Sequence, residues 1–427
     1  MTQLEFAKNN IATGTVKKIC RKEGLGITQL LKYIKEGKAV IPLNKNRRIE
    51  KPCAIGKGLS TKVNANIGTS TDKGTINDEI KKLKAAIKYG ADAVMDLSVG
   101  GSLIRMRREV LKHSSVPVGT VPIYEVSVRA KGLKKDFLDF NIEDILAVLE
   151  TQAKEGVDFF TIHAGVTKKS LRALSTQKRF LGVVSRGGAI LAAWIKKHKK
   201  ENPFFEYYDR ILDIAYRYDV TLSLGDGLRP GSILDSTDPA QIEELRILGD
   251  LALRARKKNV QAMIEGPGHV PIEEIKQNVL LEKKLCRQAP FYVLGPLVTD
   301  VAAGYDHISA SIGGALAAGY GADFLCYVTA SEHLRHPSLS DVREAVVAAK
   351  IAAHAGDLAK GIKGAIKWDK EFTLARKKRD WKAQVKLSID PDKANDYRRS
   401  SRPHLSDVCT MCGDYCSIRL MDECAKK

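Results

Sequence analysis

The run VTLSL at 220–224, the loop GDGLRPG at 225–231, a helical stretch from Asp238 and the run VQAMI at 260–264 together decide the fold. Both apolar runs have strand length and end in a polar, glycine-bearing loop. The segment between them repeats apolar residues at Ile242, Leu245, Leu248 and Leu251 with helical spacing. Asp238 is suited to cap that helix, and Pro239 falls in the first turn, where its missing N–H costs nothing. Strand, crossover helix and strand make one parallel βα unit.

The same rhythm extends in both directions from about Ala91. Candidate strands lie at 93–97, 116–123, 157–163, 183–185, 220–224, 260–264, 291–294 and 324–328, with Pro117 and Pro122 weakening the second. A second helix, from Asp341 to Lys360, is rich in alanine and is expected to pack closely. Eight strands with intervening helices predict an α/β fold, a (β/α)8 TIM-type barrel. The run KVNANIG at 62–68 reads as either a ninth strand or the first barrel strand. The expected division is an N-terminal region at 1–75, the barrel at 76–364, and a C-terminal helical segment with a cysteine tail at 365–427. Trp368, Trp381 and Tyr397 are the expected packing anchors of the last part, and the tail is expected to be mobile until it docks on a barrel.

A chain of 427 residues with 44% hydrophobic and 28% charged residues can bury a sizeable core. No apolar run approaches the length of a membrane span. The N-terminus, MTQLEFAKNN, lacks the apolar core of a secretory signal, and Cys20, Cys53, Cys286 and Cys326 lack a disulfide-framework spacing. Both features point to the cytoplasm. The formal net charge of +20 raises the question of a nucleic-acid partner. Its distribution argues otherwise, because the basic residues recur as short clusters suited to solvated helix ends, such as Lys196–Lys200 and Arg254–Lys258. With 6% aromatic residues and no basic stretch interleaved with stacking side chains, no nucleic-acid partner is expected.

Polar signatures follow the candidate strands: NANIG, MDLSVGG, GTVPIY, TIHAG, SRGG, LGDGLRPG, IEGPGH, VLGPLVTD and CYVTASEH. In a parallel barrel these positions ring the C-terminal mouth, where catalytic groups assemble. His269 and His333 could converge there on a zinc-like divalent ion. Glu265, four residues before His269, suits a metal ligand, an orienting group or a proton-transfer group. Ser185, Arg186 and Gly187, with Asp226, Gly227, Leu228 and Arg229, suit an anionic substrate, because glycine permits close backbone approach and arginine offers a planar fork to phosphate. Asn66, Met95, Tyr124, His163 and Tyr292 could shape a pocket for a planar heterocycle.

Near the C-terminus, CTMCGDYC places Cys409, Cys412 and Cys416 in a C-x2-C-x3-C spacing. Three thiolates can hold a 4Fe-4S cube and leave its fourth iron open. With Cys424 as a fourth ligand the same thiols could instead close a zinc or electron-transfer site.

Joined in this order, KVNANIGTS, MDLSVGG, VPVGTVPIY, SRGG, DVTLSLGDGLRPGS, IEGPGHVP, APFYVLGPLVTD, GYDHI, GADFLCYVT and CTMCGDYC resemble the phosphomethylpyrimidine synthase (ThiC) family of thiamine biosynthesis over nearly the whole chain. The resemblance implies a radical S-adenosyl-L-methionine (SAM) enzyme, a carbon-carbon lyase. Its cluster would be held by Cys409, Cys412 and Cys416 on a C-terminal tail, and zinc by His269 and His333. It further implies that Asn66, Met95, Tyr124, His163, Ser185, Arg186, Gly187, Asp226, Gly227, Leu228, Arg229, Glu265 and Tyr292 contact 5-aminoimidazole ribonucleotide, with Glu265 also catalytic. An electron donor such as a flavodoxin or ferredoxin, and a homodimer in which one tail covers the partner's site, are implied as well. The implied product is 4-amino-5-hydroxymethyl-2-methylpyrimidine phosphate. The related 5-hydroxybenzimidazole synthases of anaerobic cobamide assembly share the substrate and form the alternative.

Departures from the family pattern are local. Larger relatives space their cysteines C-x2-C-x4-C and carry a longer N-terminal region. Val99, Ala303 and Ala330 stand where the family pattern has a hydroxyl residue and two prolines. Two other classes would use part of these features: a zinc-dependent barrel hydrolase would use the histidines, and a basic nucleic-acid binder with a zinc knuckle would use the charge and the tail.

Overall fold

The computed structural model describes residues 1–132, 136–176 and 178–424. Eight parallel strands close into a barrel: β1 (Lys62–Ile67), β2 (Ala93–Asp96), β3 (Val118–Thr120), β4 (Phe159–Ile162), β5 (Thr221–Leu224), β6 (Ala262–Gly266), β7 (Phe291–Leu294) and β8 (Phe324–Cys326). Closure is made by β8 on β1, with Phe324 opposite Lys62 and Cys326 opposite Asn64. Phe159, Phe160, Leu222, Ile264, Phe291 and Phe324 are almost fully buried. Each such side chain contributes about 2–3 kcal/mol by leaving water.

Two expectations change here. The run at 183–185 forms no strand; Ser185 instead caps the helix Arg186–His198 by accepting from the Gly188 N–H at 3.2 Å. Its place in the barrel is taken by KVNANI as β1, which lies ahead of the expected boundary at residue 76. The proline-flanked strand does form, as the short β3, and Pro122 opens the helix Pro122–Gly132.

The long helix Pro239–Lys257 begins at its predicted cap, Asp238, which accepts from the Gln241 N–H at 2.8 Å. The helices Asp306–Tyr320 and Leu339–Ala359 pack closely through small residues, among them buried Ala317, Ala318, Ala349, Ala352 and Ala353. Ahead of β1, the helices Gln3–Lys8, Gly14–Glu23 and Ile27–Lys35 bury their own core of Leu4, Val16, Ile19, Leu30 and Ile34. They are tied to the barrel by polar bonds: Lys62 pairs with Glu23 at 3.1 Å, and Gln261 exchanges two hydrogen bonds with the Ile41 main chain at 2.8 and 3.0 Å.

The chain divides into two compact units, Met1–Lys360 and Gly361–Lys427. The second unit contains the helices Lys363–Lys377, Trp381–Leu387, Pro391–Ser401 and Ser417–Cys424. Its cysteine segment is pinned within the unit and does not run free. The Trp381 indole donates to the Asp407 carbonyl at 3.1 Å, and Arg398 donates to the Val408 and Ser406 carbonyls at 2.7 and 2.6 Å. Arg379 bridges Asp407 and Asp422 at 3.1 and 2.5 Å. Trp368 also donates within the unit, to Leu387, whereas Tyr397 is 68% exposed and anchors nothing by burial.

Candidate active site

The C-terminal ends of the strands surround a cavity of about 470 Å³ lined by Asn66, Met95, Tyr124, His163, Asp226, Arg229, Glu265 and Tyr292. Residues separated by up to 226 positions in the chain thus meet in one space. An adjoining lobe of about 770 Å³ shares Asn66, Leu97 and Leu294 with it and adds Lys82, Val99, Arg186, Tyr327, Glu332 and His336. Val99, one of the departures from the family pattern, therefore faces the lobe.

Barrel register explains the convergence. Asn66 on β1 pairs with Met95 on β2, and Glu265 on β6 pairs with Tyr292 on β7. Alternate residues of a strand share one face, so Asn64 accompanies Asn66, and Thr161 precedes His163 by two. Asn64 Nδ2 donates to Asn66 Oδ1 and to the Tyr292 hydroxyl, each at 2.8 Å, while the Tyr292 hydroxyl donates to Met95 Sδ at 3.6 Å. Asn66 Nδ2 lies 3.1 Å from Cys326 Sγ. Burial pushes the Cys326 thiol up to about 12, which keeps it neutral.

Glu265 receives the Ser223 hydroxyl at 2.5 Å and the Thr161 hydroxyl at 2.8 Å, both on Oε1. Burial raises its pKa against those two donors, so the carboxyl group is suited to holding and releasing a proton. His163 is 3% exposed, and burial together with the Arg229 charge lowers its pKa to about 3. It is a neutral imidazole.

The anion-binding set forms where two loops touch. The helix Arg186–His198 directs its N-terminus toward the mouth, and a Cβ at Gly188 would stand 2.1 Å from the Gly227 carbonyl oxygen, so only glycine allows this approach. Arg229 pairs with Asp226 at 3.2 Å. The Arg186 guanidinium lies 4.9 Å over the Tyr124 ring. Ser185 and Gly187 are buried at the helix start, with Gly187 against the His163 ring. Leu228 is fully buried and offers the site only its main chain.

The His269 and His333 rings approach to 5.5 Å between centroids. His269 Nδ1 is bonded to Asp300 Oδ1 at 2.8 Å, leaving Nε2 as its ligating atom. Burial lowers the His269 pKa, which favours the neutral, ligating form. Two imidazoles backed by a carboxylate fit a zinc-like ion. In the second unit, the Met411 and Cys412 N–H groups donate to Cys409 and hold its thiol below the usual range, which suits a thiolate ligand. Cys412 is exposed, and Cys409 and Cys416 are partly so. Among the described residues, no three His, Cys, Asp or Glu side chains stand close enough to hold an ion as they are, so the turn must close around a bound cluster.

Several site residues escaped the sequence reading: Asn64, Thr161, Ser223, Asp300 and Cys326. The alternation along β1 and β4 could have found Asn64 and Thr161. Asp300 stands within VLGPLVTD, but its partner His269 is 31 residues away.

Residues 2–423 match the model of the radical SAM ThiC family. The chain is 53% identical over 423 residues to a phosphomethylpyrimidine synthase of Moorella thermoacetica, covering 99% of this chain and 98% of that protein. It is 55% identical over 422 residues to the protein of the same name from Thermodesulfovibrio yellowstonii, covering 98% and 99%. With such coverage and a barrel mouth that gathers the family's motifs, the chain belongs to the radical SAM ThiC family.

Proposed function

We propose that the protein converts 5-aminoimidazole ribonucleotide to 4-amino-5-hydroxymethyl-2-methylpyrimidine phosphate for thiamine biosynthesis. The observation that carries this reading is the single cavity uniting Asn66, Met95, Tyr124, His163, Asp226, Arg229, Glu265 and Tyr292. The relatives' shared name supports it.

Cys409, Cys412 and Cys416 would hold the 4Fe-4S cluster, which when bound supplies the electron that cleaves SAM to a 5'-deoxyadenosyl radical. The chain's own work is binding, orientation and proton handling. Arg229, with Ser185, Arg186, Gly187 and the main chain at Gly227 and Leu228, takes the phosphate. Asn66, Met95, Tyr124 and Tyr292 enclose the base and ribose. Neutral His163 accepts or donates one hydrogen bond without adding charge beside the phosphate site, and Glu265 moves a proton at the reacting end.

His269 and His333 would hold zinc, with water or substrate completing its shell. The protein works in the cytoplasm as a homodimer in which the partner's tail serves this barrel, drawing electrons from a flavodoxin or ferredoxin. Among the described residues, no helix is long and apolar enough to cross a membrane.

The test is anaerobic incubation of the reconstituted protein with the ribonucleotide, SAM and reductant, followed by product identification. Pyrimidine phosphate is expected. Fluorescent 5-hydroxybenzimidazole without pyrimidine would overturn the reading in favour of the cobamide branch. Full activity in a Cys409→Ala, Cys412→Ala variant would remove the radical chemistry altogether.

A further inference from the structure

The loop that carries Asp226 and Arg229 into the cavity is gripped from behind by side chains that do not line it. The Leu228 N–H donates to Glu244 Oε2 at 2.7 Å, and the Leu228 carbonyl accepts from Arg179 Nη2 at 2.6 Å. Arg179 also forks onto Asp238 at 2.6 and 2.7 Å, and Asp238 caps the helix that carries Glu244. Both main-chain polar groups of Leu228 are thereby fixed, one residue before Arg229.

Glu244 is 1% exposed and closely enclosed. A Cβ at Gly165 would come within 2.7 Å of Glu244 Cγ, so the chain beyond β4 leaves space for the carboxyl group only because it has no side chain there. Glu244 Oε1 has no hydrogen-bond partner among the described residues, and no ion pair to Glu244 is found among them. A carboxylate buried in this way would repel a phosphate received on the far side of the loop. Burial first, and the neighbouring Asp226 second, raise its pKa well above the usual range and keep it neutral. A neutral acid accepts the Leu228 N–H through its carbonyl oxygen as an amide would.

We infer that Glu244 is a positioning residue for the substrate's phosphate, with Arg179 as its counter-grip: together they hold the Leu228 main chain so that the Arg229 guanidinium meets the phosphate. The inference rests on the functional reading above, since it needs a phosphorylated substrate in this cavity. Glu244 touches no substrate itself.

Steady-state kinetics of the reconstituted full-length enzyme with the ribonucleotide test it. E244A is expected to raise KM about tenfold, the worth of one buried hydrogen bond, while kcat stays within about threefold. E244Q, which keeps a neutral acceptor of the same shape, is expected to restore KM to within about threefold. If E244A shows no cooperative melt, R179K carries the same KM expectation, because it keeps a charge opposite Asp238 but loses the fork that also reaches Leu228. An unchanged KM in E244A, a fall in kcat at constant KM, or an E244Q variant as impaired as E244A would each overturn the inference. No turnover of the ribonucleotide by the parent enzyme would overturn the functional reading and the inference with it.

Discussion

His269 and Asp300 form a 2.8 Å hydrogen bond that joins the loop after β6 to the loop after β7. The same carboxylate accepts from the Ser232 hydroxyl at 2.7 Å and the Ile233 N–H at 3.0 Å, so the loop after β5 is drawn in as well. Asp300 thereby fixes which ring nitrogen of His269 is free. Carboxylate partners of ligating histidines commonly contribute 10–100-fold in metal affinity. Asp300→Ala should weaken zinc binding by about that factor, measured by competition with a chromophoric chelator. Equal affinity in the variant would show that His269 needs no such partner.

Glu265 lies beneath two hydroxyl donors and has a raised pKa, the arrangement of a group that exchanges a proton during turnover. Glu265→Gln keeps the shape and removes the exchangeable acid. It should lower kcat by about 10²–10⁴-fold while KM for the ribonucleotide changes only a few-fold. Product assays under anaerobic conditions decide; an effect confined to KM would assign Glu265 to binding alone.

Burial pushes Asp226 up to about 8, with the Arg229 charge opposing the shift. Below that pH the neutral carboxyl leaves the guanidinium free to engage phosphate, and above it the ionised form neutralises Arg229 and repels the substrate. Affinity for the ribonucleotide should therefore fall as pH rises through about 8, a range in which the phosphate charge no longer changes. Calorimetric titration from pH 7 to 9 would reveal it. Asp226→Asn should flatten the profile, and an equally steep fall in that variant would place the titrating group elsewhere.

Asp219 accepts from the Gln3 N–H at 2.8 Å, and burial raises its pKa to about 7. A carboxyl raised on folding contributes stability that is fully present below its unfolded pKa and is lost as pH rises through the folded value. The loss here runs from about pH 4 to about 7. Asparagine does not titrate, and it tolerates the left-handed φ of 54° at this position. Asp219→Asn should match the parent near pH 4 and exceed it by on the order of 2 kcal/mol at pH 8 in urea denaturation. A gap that stays constant with pH would rule out this titration.

The sequence by itself determined whatever depends on neighbours along the chain. Alternating apolar runs and the Asp238–Pro239 helix start marked the βα units, and the cysteine spacing marked one tail turn, because strand length, helix capping and a short turn are local properties. The polar loops after the strands located the mouth for the same reason. Local reading failed at 183–185, where two valines resembled a strand but Ser185 was a helix cap, and at KVNANI, whose inward asparagines disguised a barrel strand. Only the tertiary structure decided which β-run closes the barrel on β8, since that pairing joins residues some 260 positions apart. It also decided the partners of the site residues. Thr161 and Ser223 meet Glu265 across three strands, Asp300 meets His269, and Glu244 meets the Leu228 N–H from the next helix. Each contact follows from barrel register and helix packing, which depend on the burial of the whole core and leave no periodic trace in the chain around any one of these residues.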